Sequence, residues 1–268
     1  MTQAQKIIKY LALAFAFFLI FSIASGIMYS VLFFTNIFDT DNHVMEKLEE
    51  LKITEEASVL DIEVNSSNII IKQGETLKVE TNNKDIKIEE SNNKLFITEK
   101  GTNWFGIKSD SDLVIYVPSD FVFDGVAMES GAGKIEVDSL STKNLNLNLG
   151  AGKVTVNNLV VIDAASIDGG AGKISILNGS IHDLELDMGV GELSLTSTLT
   201  GNNEIDAGVG KVSLNLIGGD YKIKVDKGIG STTINGENIK DETYYGEGTN
   251  IIDIDGGVGS IDISYGNR

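Results

Sequence analysis

Cysteine is absent from this chain, and proline, arginine and histidine are nearly absent. The 268 residues include one proline, one arginine and two histidines, His43 and His182. Without cysteine the protein has no disulfide framework, no thiolate metal site and no cysteine nucleophile. The sequence also contains no Gly-x-Ser-x-Gly elbow and no His-Glu-x-x-His motif. We therefore predict no catalytic residues, no cofactor and no enzymatic activity.

Charged residues are also absent from one long segment, between Tyr10 and Phe38. A membrane-spanning helix needs about 20 apolar residues, so residues 10–38 are predicted to be a transmembrane signal anchor. Lys6 and Lys9 precede the segment and acidic residues follow it, which predicts a cytoplasmic amino terminus (1–9) and an extracytoplasmic remainder. A cleaved signal peptide ending near Ala24-Ser25-Gly26 is the alternative, but apolar residues continue well past that site.

Negative charge dominates the chain after this segment. The formal net charge is −18 for the whole chain and −20 when Lys6 and Lys9 are left out. Such a surface repels nucleic-acid phosphates and anionic membranes, so no nucleic-acid partner is predicted. The expected partners are a cell-wall polymer, an envelope protein or a second copy of the chain. A cysteine-free exported domain also fits the cell membrane of a Gram-positive bacterium.

Two local patterns follow the predicted anchor. Residues 39–56 are an acidic juxtamembrane linker, in which Val44, Leu48 and Leu51 share one face of a predicted helix between Asp41 and Lys52. From Val59 onward the apolar period is two, and turns rich in Asn, Gly and Ser separate short apolar runs. These runs predict strands at 59–64, 68–72, 77–80, 86–88, 95–97 and 113–117.

The tripeptide Gly-X-Gly, in which X is Ala, Val or Ile, then occurs seven times. Successive copies are 19 or 20 residues apart, except for a last interval of 29, and their first glycines are Gly131, Gly150, Gly170, Gly189, Gly208, Gly228 and Gly257. A fixed period of this length is typical of stacked-repeat folds. We predict an all-β fold, a β-solenoid of 19–20-residue coils over 57–268 with strict repeats over 123–268, preceded by one transmembrane helix.

Apolar residues surround each tripeptide at fixed positions. With the first glycine as position zero, positions −5 and −3 are mostly apolar, and so are +4 and +6. Each coil is therefore predicted to contain a strand, a glycine corner and a second strand. The X residue is predicted to point inward and to form an internal row, namely Ala132, Ala151, Ala171, Val190, Val209, Ile229 and Val258.

Four of these corners continue as Gly-Lys and superficially resemble phosphate-binding loops. That motif needs Gly-x-x-x-x-Gly-Lys-Ser/Thr with a helix after it. Here Ile or Val follows each lysine, and the first glycine of the motif is replaced by Met128, Leu147, Ile167 or Ile205. The corners are therefore predicted to be structural.

Position −2 is acidic in most coils and is predicted to face outward. Its residues include Asp168, Asp187, Asp206, Asp226 and Asp255. Stacked carboxylates repel one another, so lysines at position +3 or bound Ca²⁺ or Mg²⁺ must screen them. The calcium-binding repeat Gly-Gly-x-Gly-x-Asp needs an aspartate where this chain has Ile174. The sequence therefore leaves two interpretations of this column: a surface compensated by lysines, or a divalent-cation site.

Aromatic pairs mark two irregular segments. Trp104-Phe105 lies in a loop rich in Gly and Asn, and Tyr244-Tyr245 lies in the extra ten residues of the last interval, predicted as a loop or small hairpin. All four aromatic residues are candidate partner contacts. Covering the open ends of the solenoid is the alternative role for them.

The run from Leu113 to Pro118, followed by Gly131-Ala132-Gly133-Lys134-Ile135 and further Gly-Ala-Gly-Lys corners, resembles the bacterial putative-adhesin family, a β-strand-repeat surface domain of unknown function. The resemblance covers residues 57–268 and implies a β-solenoid and an envelope location, with no established catalytic residues. The expected function is that of a membrane-anchored, non-enzymatic surface protein, adhesin-like or an envelope scaffold or sensor. A divalent-cation sensor and a polysaccharide-active β-helix enzyme are the alternatives.

Overall fold

The computed structural model describes residues 47–54, 57–100, 111–239 and 244–266. Within these ranges every regular element is a β-strand, which confirms the all-β prediction. No helix there is long and apolar enough to cross a membrane. The predicted anchor at 10–38 lies outside the described residues.

The described residues form sixteen strands that belong to one hydrogen-bonded sheet. Several strands are long because the backbone stays extended through the corners. The strands are β1 (Glu49–Leu51), β2 (Val59–Val64), β3 (Asn68–Gly74), β4 (Lys78–Thr81), β5 (Ile86–Ser91), β6 (Lys94–Glu99), β7 (Asp112–Pro118), β8 (Phe123–Ile176), β9 (Gly179–His182), β10 (Leu184–Thr200), β11 (Asn202–Ile217), β12 (Tyr221–Asp226), β13 (Ile229–Ile234), β14 (Glu237–Asn238), β15 (Tyr244–Tyr245) and β16 (Asn250–Gly266).

All six strands predicted ahead of the repeats are present as β2 to β7, within a few residues of the expected ends. The predicted helix from Asp41 to Lys52 is wrong where it can be seen, because Glu49–Leu51 is strand β1, paired antiparallel with Thr81 to Val79 of β4. An isolated helix this short is only marginally stable in water, whereas the free edge of β4 offers unpaired backbone N–H and C=O groups. Pairing with β4 therefore overrides the helical pattern.

The repeats stack in parallel and keep the same register at every glycine corner. Val190 lies opposite Ala171 on one side and Val209 on the other, and the neighbouring glycines pair with glycines. Strand spacing in a sheet is about 4.8 Å, so equivalent residues form rows along the stacking direction. The alternation inferred from the sequence is confirmed, since positions −5, −3, +4 and +6 supply most of the buried core.

The stacking order differs from the chain order at the carboxyl end. β16, the seventh repeat, pairs with β11 of the fifth repeat through Val258 and Val209. Along its other edge β16 pairs with β12 and β13 of the sixth repeat, with Ile252 opposite Ile223 and Val258 opposite Ile229. The long last interval therefore carries the chain past the sixth repeat and back into the gap before it.

The amino-terminal end has the same arrangement. β2 and β3 form a coil against the first repeat, with Ile62 opposite Met128 and Ile69 opposite Ile135. The later strands β6 and β7 stack on the outside of β2 and β3. At each end of the stack, the outermost coil is therefore not the coil closest in sequence to the chain terminus. The coil closest in sequence to the terminus lies between two neighbouring coils.

Antiparallel strands cover the outer coils. β5 pairs with β6 and β4 with β7 at one end, and β14 pairs with β13 and β15 with β12 at the other. Reversed edge strands of this kind interrupt a parallel stack that would otherwise accept further coils. In the segment 236–250, predicted as a loop or small hairpin, β14 pairs back onto β13 of the sixth repeat after a turn at Asn235-Gly236, where φ is positive at both residues, and β15 pairs with β12.

Candidate functional site

The second glycine of each corner has a backbone that only glycine adopts easily. Its φ lies between +143° and +153° in all seven copies. At Gly210, a Cβ atom would overlap the carbonyl oxygen of Gly191 in the preceding coil, far inside the 3.0 Å below which Cβ atoms are essentially never found. The chain continues from each Gly-Lys pair as a strand, so no helix terminus is present to bind a phosphate.

The X residues of the corners point outward, so the prediction of an internal row is wrong. Exposed fractions are 56% for Val190, 50% for Val209, 48% for Val258 and 74% for Ile229. The last buried residue before the corner lies at position −1, as at Leu149 and Met188. The strand therefore changes face at the first glycine, and X belongs to the alternation that continues to +4 and +6. Extending that downstream parity backward would have placed X outside.

We call this row the corner ladder. Its members are aliphatic in every coil, lie in register between the described neighbouring strands, and are, in stacking order, Ala132, Ala151, Ala171, Val190, Val209, Val258 and Ile229.

The acidic column at position −2 faces outward, as predicted. In stacking order Asp168, Asp187, Asp206, Asp255 and Asp226 lie in register on successive strands. Burial first, and then the charges of Asp187 and Asp255, raise the pKa of Asp206 above its usual value. One of its carboxylate oxygens, Oδ1, is buried without a hydrogen-bond partner. Like charges in adjacent rows thus act on one another directly.

Neither predicted means of screening this column is visible among the described residues. At position +3, Lys134 pairs with Glu136 at 2.7 Å and Lys173 with Glu192 at 3.1 Å, and no lysine of this position pairs with the column. The lysines lie on the far side of the corner ladder from the carboxylates. No group of three or more His, Asp or Glu side chains in the described ranges is arranged to hold a metal ion.

A shallow groove separates the acidic column from the corner ladder. It has a volume of about 500 Å³ and crosses four coils. Glycines such as Gly189 and Gly208 form one side, and Met188 and Ala207 form its floor. The first glycine of each corner carries no side chain and Met188 is buried, so the exposed X side chains such as Val190 and Val209 stand out from the surface beside them.

The two aromatic pairs have different outcomes. Trp104 and Phe105 lie outside the described residues. Tyr244 and Tyr245 form β15 and pair with Lys224 and Ile223 on the outermost coil. The Tyr244 ring also lies 4.5 Å from the Lys222 ammonium. Covering the solenoid end is therefore one role that these tyrosines have, and Tyr244 is still more than half exposed.

His182 is the one histidine within the described residues, and its contacts hold a turn. Its Nδ1 lies 2.9 Å from the Thr200 hydroxyl and its Nε2 3.6 Å from Asp183. Asp183 has a positive φ of 45°, and its carboxylate accepts the backbone N–H of Asn202 at 2.8 Å. These contacts join two coils where the chain passes from one to the next.

The family of the chain follows from these repeats. The family model described as Toastrack DUF4097 matches residues 57–246, which is most of the β-sheet domain. The chain belongs to this family. The match confirms the resemblance drawn from the Gly-Ala-Gly-Lys corners. No curated protein matches the chain.

Two crystal structures match the chain. One is described as a putative cell adhesion protein from Clostridium sporogenes; it is 19% identical, with 82% of this chain and 99% of that chain covered and a TM-score of 0.38. The other, described as a putative adhesin from Bacteroides fragilis, is 14% identical, with 83% and 98% covered and a TM-score of 0.37. Toastrack is a family of unknown function, so the function of this chain must be inferred from its own surface.

Proposed function

We propose that this Toastrack protein is a non-enzymatic, adhesin-like surface scaffold, held at the cell membrane by residues 10–38, that binds a cell-wall polymer or envelope protein. The observation that carries the proposal is the register of its outer rows. Every coil repeats the same outward positions at the spacing of a parallel sheet. A repeating ligand can therefore make the same contact several times, and the affinity rises with the number of contacts.

Charge indicates which ligand chemistry such a surface takes. Carboxylates occupy positions −4 and −2 of neighbouring coils, as in Glu185, Asp187, Glu204 and Asp206. In the outermost coils Lys224 pairs with Asp253 at 3.5 Å, so part of this surface is neutralised there. A cationic partner, such as a wall polysaccharide with free amines or a basic patch of an envelope protein, complements the remaining charge.

The scaffold proposal is tested by the binding of a fluorescent amine-bearing wall polysaccharide to cells that produce the full-length chain. We expect retention above that of cells without the chain, and weaker retention for the triple variant Asp187→Asn, Asp206→Asn and Asp255→Asn. Asp138→Asn, on an exposed position outside the column, is the matched control. Equal retention by cells with the wild-type chain, the triple variant and Asp138→Asn would contradict the acidic rows as the binding surface.

The location is tested separately, since the chain has no cysteine of its own. Leu177→Cys, at an exposed position away from the corner ladder, is expected to react with a membrane-impermeant maleimide in intact cells. Labelling only after the cells are permeabilised would refute an extracytoplasmic domain.

A divalent-cation sensor is the second candidate, because Oδ1 of Asp206 has no hydrogen-bond partner and lies between two in-register carboxylates. The described side chains do not form a ready metal site, so a cation would have to draw these carboxylates together. Millimolar Ca²⁺ would then raise the melting temperature relative to a chelator, and Asp206→Asn would abolish the difference. An unchanged melting temperature would exclude it. The polysaccharide-active enzyme is distinguished by shortened products from a glycan panel.

A further inference from the structure

The corner ladder is an apolar row that nothing in the described chain covers. Val190, Val209, Val258 and Ile229 follow one another on four neighbouring coils, and each is about half exposed or more. Isolated exposed aliphatic residues are ordinary, but an unbroken row of them marks a contact surface.

The surface beside the ladder has the complementary shape. The groove runs beside the ladder over four coils, along Gly170, Gly189, Gly208 and Gly257 and the residue before each of them. A raised row and a parallel groove on one face allow the ladder of a second copy to enter the groove of the first, and the reverse. Such a contact uses the same patch on both molecules, as a two-fold interface requires.

The charges on this face have opposite signs on its two sides. The acidic column lies beyond the groove, and a lysine column at position +3 lies beyond the ladder, formed by Lys134, Lys153, Lys173 and Lys211. Lys153 and Lys211 have no ion pair among the described residues, so their ammonium groups are free to meet a partner's carboxylate. Three coils break the pattern, because position +3 is Glu192 in the fourth repeat, Ser231 in the sixth and Ser260 in the seventh.

The signs of these columns select one orientation of the two copies. If the two-fold axis runs parallel to the stacking direction, the acidic column of each copy faces the lysine column of the other. Asp168 then meets Lys173 and Asp206 meets Lys211 across the interface, which are the two favourable pairs. Asp187 meets Glu192, and Asp226 and Asp255 meet serines, so the attraction is concentrated at the third and fifth repeats. If the axis is perpendicular to that direction and lies in the face, acidic column meets acidic column, and repulsion opposes the contact.

We propose that the corner ladder and its groove are the contact surface between two copies of this chain, which lie side by side and parallel. The occupant is a second copy because one face carries both the row and the groove, and both charge columns, in positions that complement themselves. The proposal goes beyond the binding of a wall ligand and does not depend on it.

The test is a cysteine scan along the ladder in the full-length chain. Val190→Cys, Val209→Cys and Val258→Cys are each introduced as the only thiol. In a parallel dimer each ladder residue enters the partner's groove at the level of the same coil and so lies beside its own copy. Under oxidation all three variants are therefore expected to give a disulfide-linked species of twice the 28.8 kDa chain mass. Disulfides require Cα atoms about 4.4–6.8 Å apart. Ile162→Cys and Leu177→Cys, exposed elsewhere, are the controls and should stay monomeric.

The pattern of cross-links decides the orientation. In an antiparallel contact centred on Val209, that residue alone would cross-link, since two coils at about 4.8 Å each separate the like thiols at Val190 and Val258 by roughly 10 Å. That result would overturn the parallel arrangement. Cross-linking of all positions including the controls, or of none, would overturn the ladder as the interface.

The role of charge is tested in the Val209→Cys background. Lys211→Glu is expected to lower the cross-linked fraction at least fivefold, and adding Asp206→Lys is expected to restore it, because the exchanged pair meets again across the two-fold axis. Thermal melts establish that both variants are folded. Loss without rescue in a folded double variant would exclude this pairing. Weakened polysaccharide binding with unchanged cross-linking would instead count against the proposed function alone.

Discussion

Replacing Gly210 by alanine is expected to be among the most damaging single changes in the molecule. The φ of +149° at Gly210 lies in a region that side chains rarely adopt, which costs about 1–3 kcal/mol. The added methyl group also overlaps the carbonyl oxygen of Gly191, so the two coils must separate by roughly 1 Å at that point. Hydrogen bonds between the coils are then lengthened, with a loss of about 1 kcal/mol for each one broken.

Together these effects predict a loss of at least about 3 kcal/mol in the free energy of unfolding. For a domain of this size, 1 kcal/mol corresponds to roughly 2–4 °C in melting temperature, so Gly210→Ala should melt at least about 6 °C below the wild type. Circular dichroism at the strand band measures the transition. Gly208→Ala separates the two effects, because its added methyl group overlaps the Gly189 carbonyl oxygen while the φ of Gly208 is not positive.

Gly125 provides the matched control. Its φ is ordinary, and the nearest atom to an added Cβ is Cγ1 of Val59 at 3.9 Å. Gly125→Ala should therefore be neutral, or stabilising by about 0.4–1 kcal/mol, because alanine restricts the unfolded chain. If Gly210→Ala melted within 2 °C of Gly125→Ala, the corners would not be constrained by close stacking and the structural account of the glycines would fail.

Three further changes test other parts of the structure. Asp206→Asn should raise the free energy of unfolding by about 1 kcal/mol at pH 7, since it removes repulsion from the neighbouring carboxylates of Asp187 and Asp255. Because the pKa of Asp206 is raised in the folded protein, this gain should fade as the pH falls and the wild-type Asp206 becomes protonated. A gain that does not change with pH would contradict this explanation. Burial raises the pKa of Glu99, but hydrogen bonds from the N–H groups of Ser66, Asn65 and Ser67 outweigh it and hold the pKa below its usual value. The ionised Glu99 therefore stabilises the fold above the ordinary carboxyl pKa of 4.5 and ceases to do so as the pH falls through the lower folded value. Glu99→Gln should lose about 1–2 kcal/mol at pH 7 and nothing at pH 2 in urea titrations. Removal of residues 250–268 should expose β12 and β13 to limited proteolysis, since β16 is their parallel neighbour; protection equal to the full chain would refute the inserted order of the coils.

Local sequence patterns predicted most of the fold. Alternating apolar residues and turn residues gave β2 to β7, and the glycine spacing gave the parallel register of the repeats, because each depends on residues close together in the chain. The order of the coils could not be predicted in this way. Coils with the same apolar pattern fit beside any neighbour, so the insertion of β16 between β11 and β12 is decided by the long last interval and the edge strands.

The candidate surface was predicted in part. The acidic column was assigned to the outer face correctly, because positions −2 and −3 lie on one uninterrupted strand. The corner ladder was assigned to the wrong face, because glycine carries no side chain that shows which of the two residues turns the chain. The groove beside the ladder also depends on the stacked glycines, and it exists only when Gly189 and Gly208 lie side by side.

The most direct test of the surface-scaffold function is to incubate cells that produce the full-length chain with a panel of wall polysaccharides. Both the amount of each polysaccharide that the cells retain and its chain length are then measured. If the protein is a non-enzymatic scaffold, at least one polysaccharide will be retained and recovered with its chain length unchanged after prolonged incubation. Recovery of shortened or unsaturated products in a reproducible, chain-dependent manner would contradict it and establish a polysaccharide-active enzyme instead.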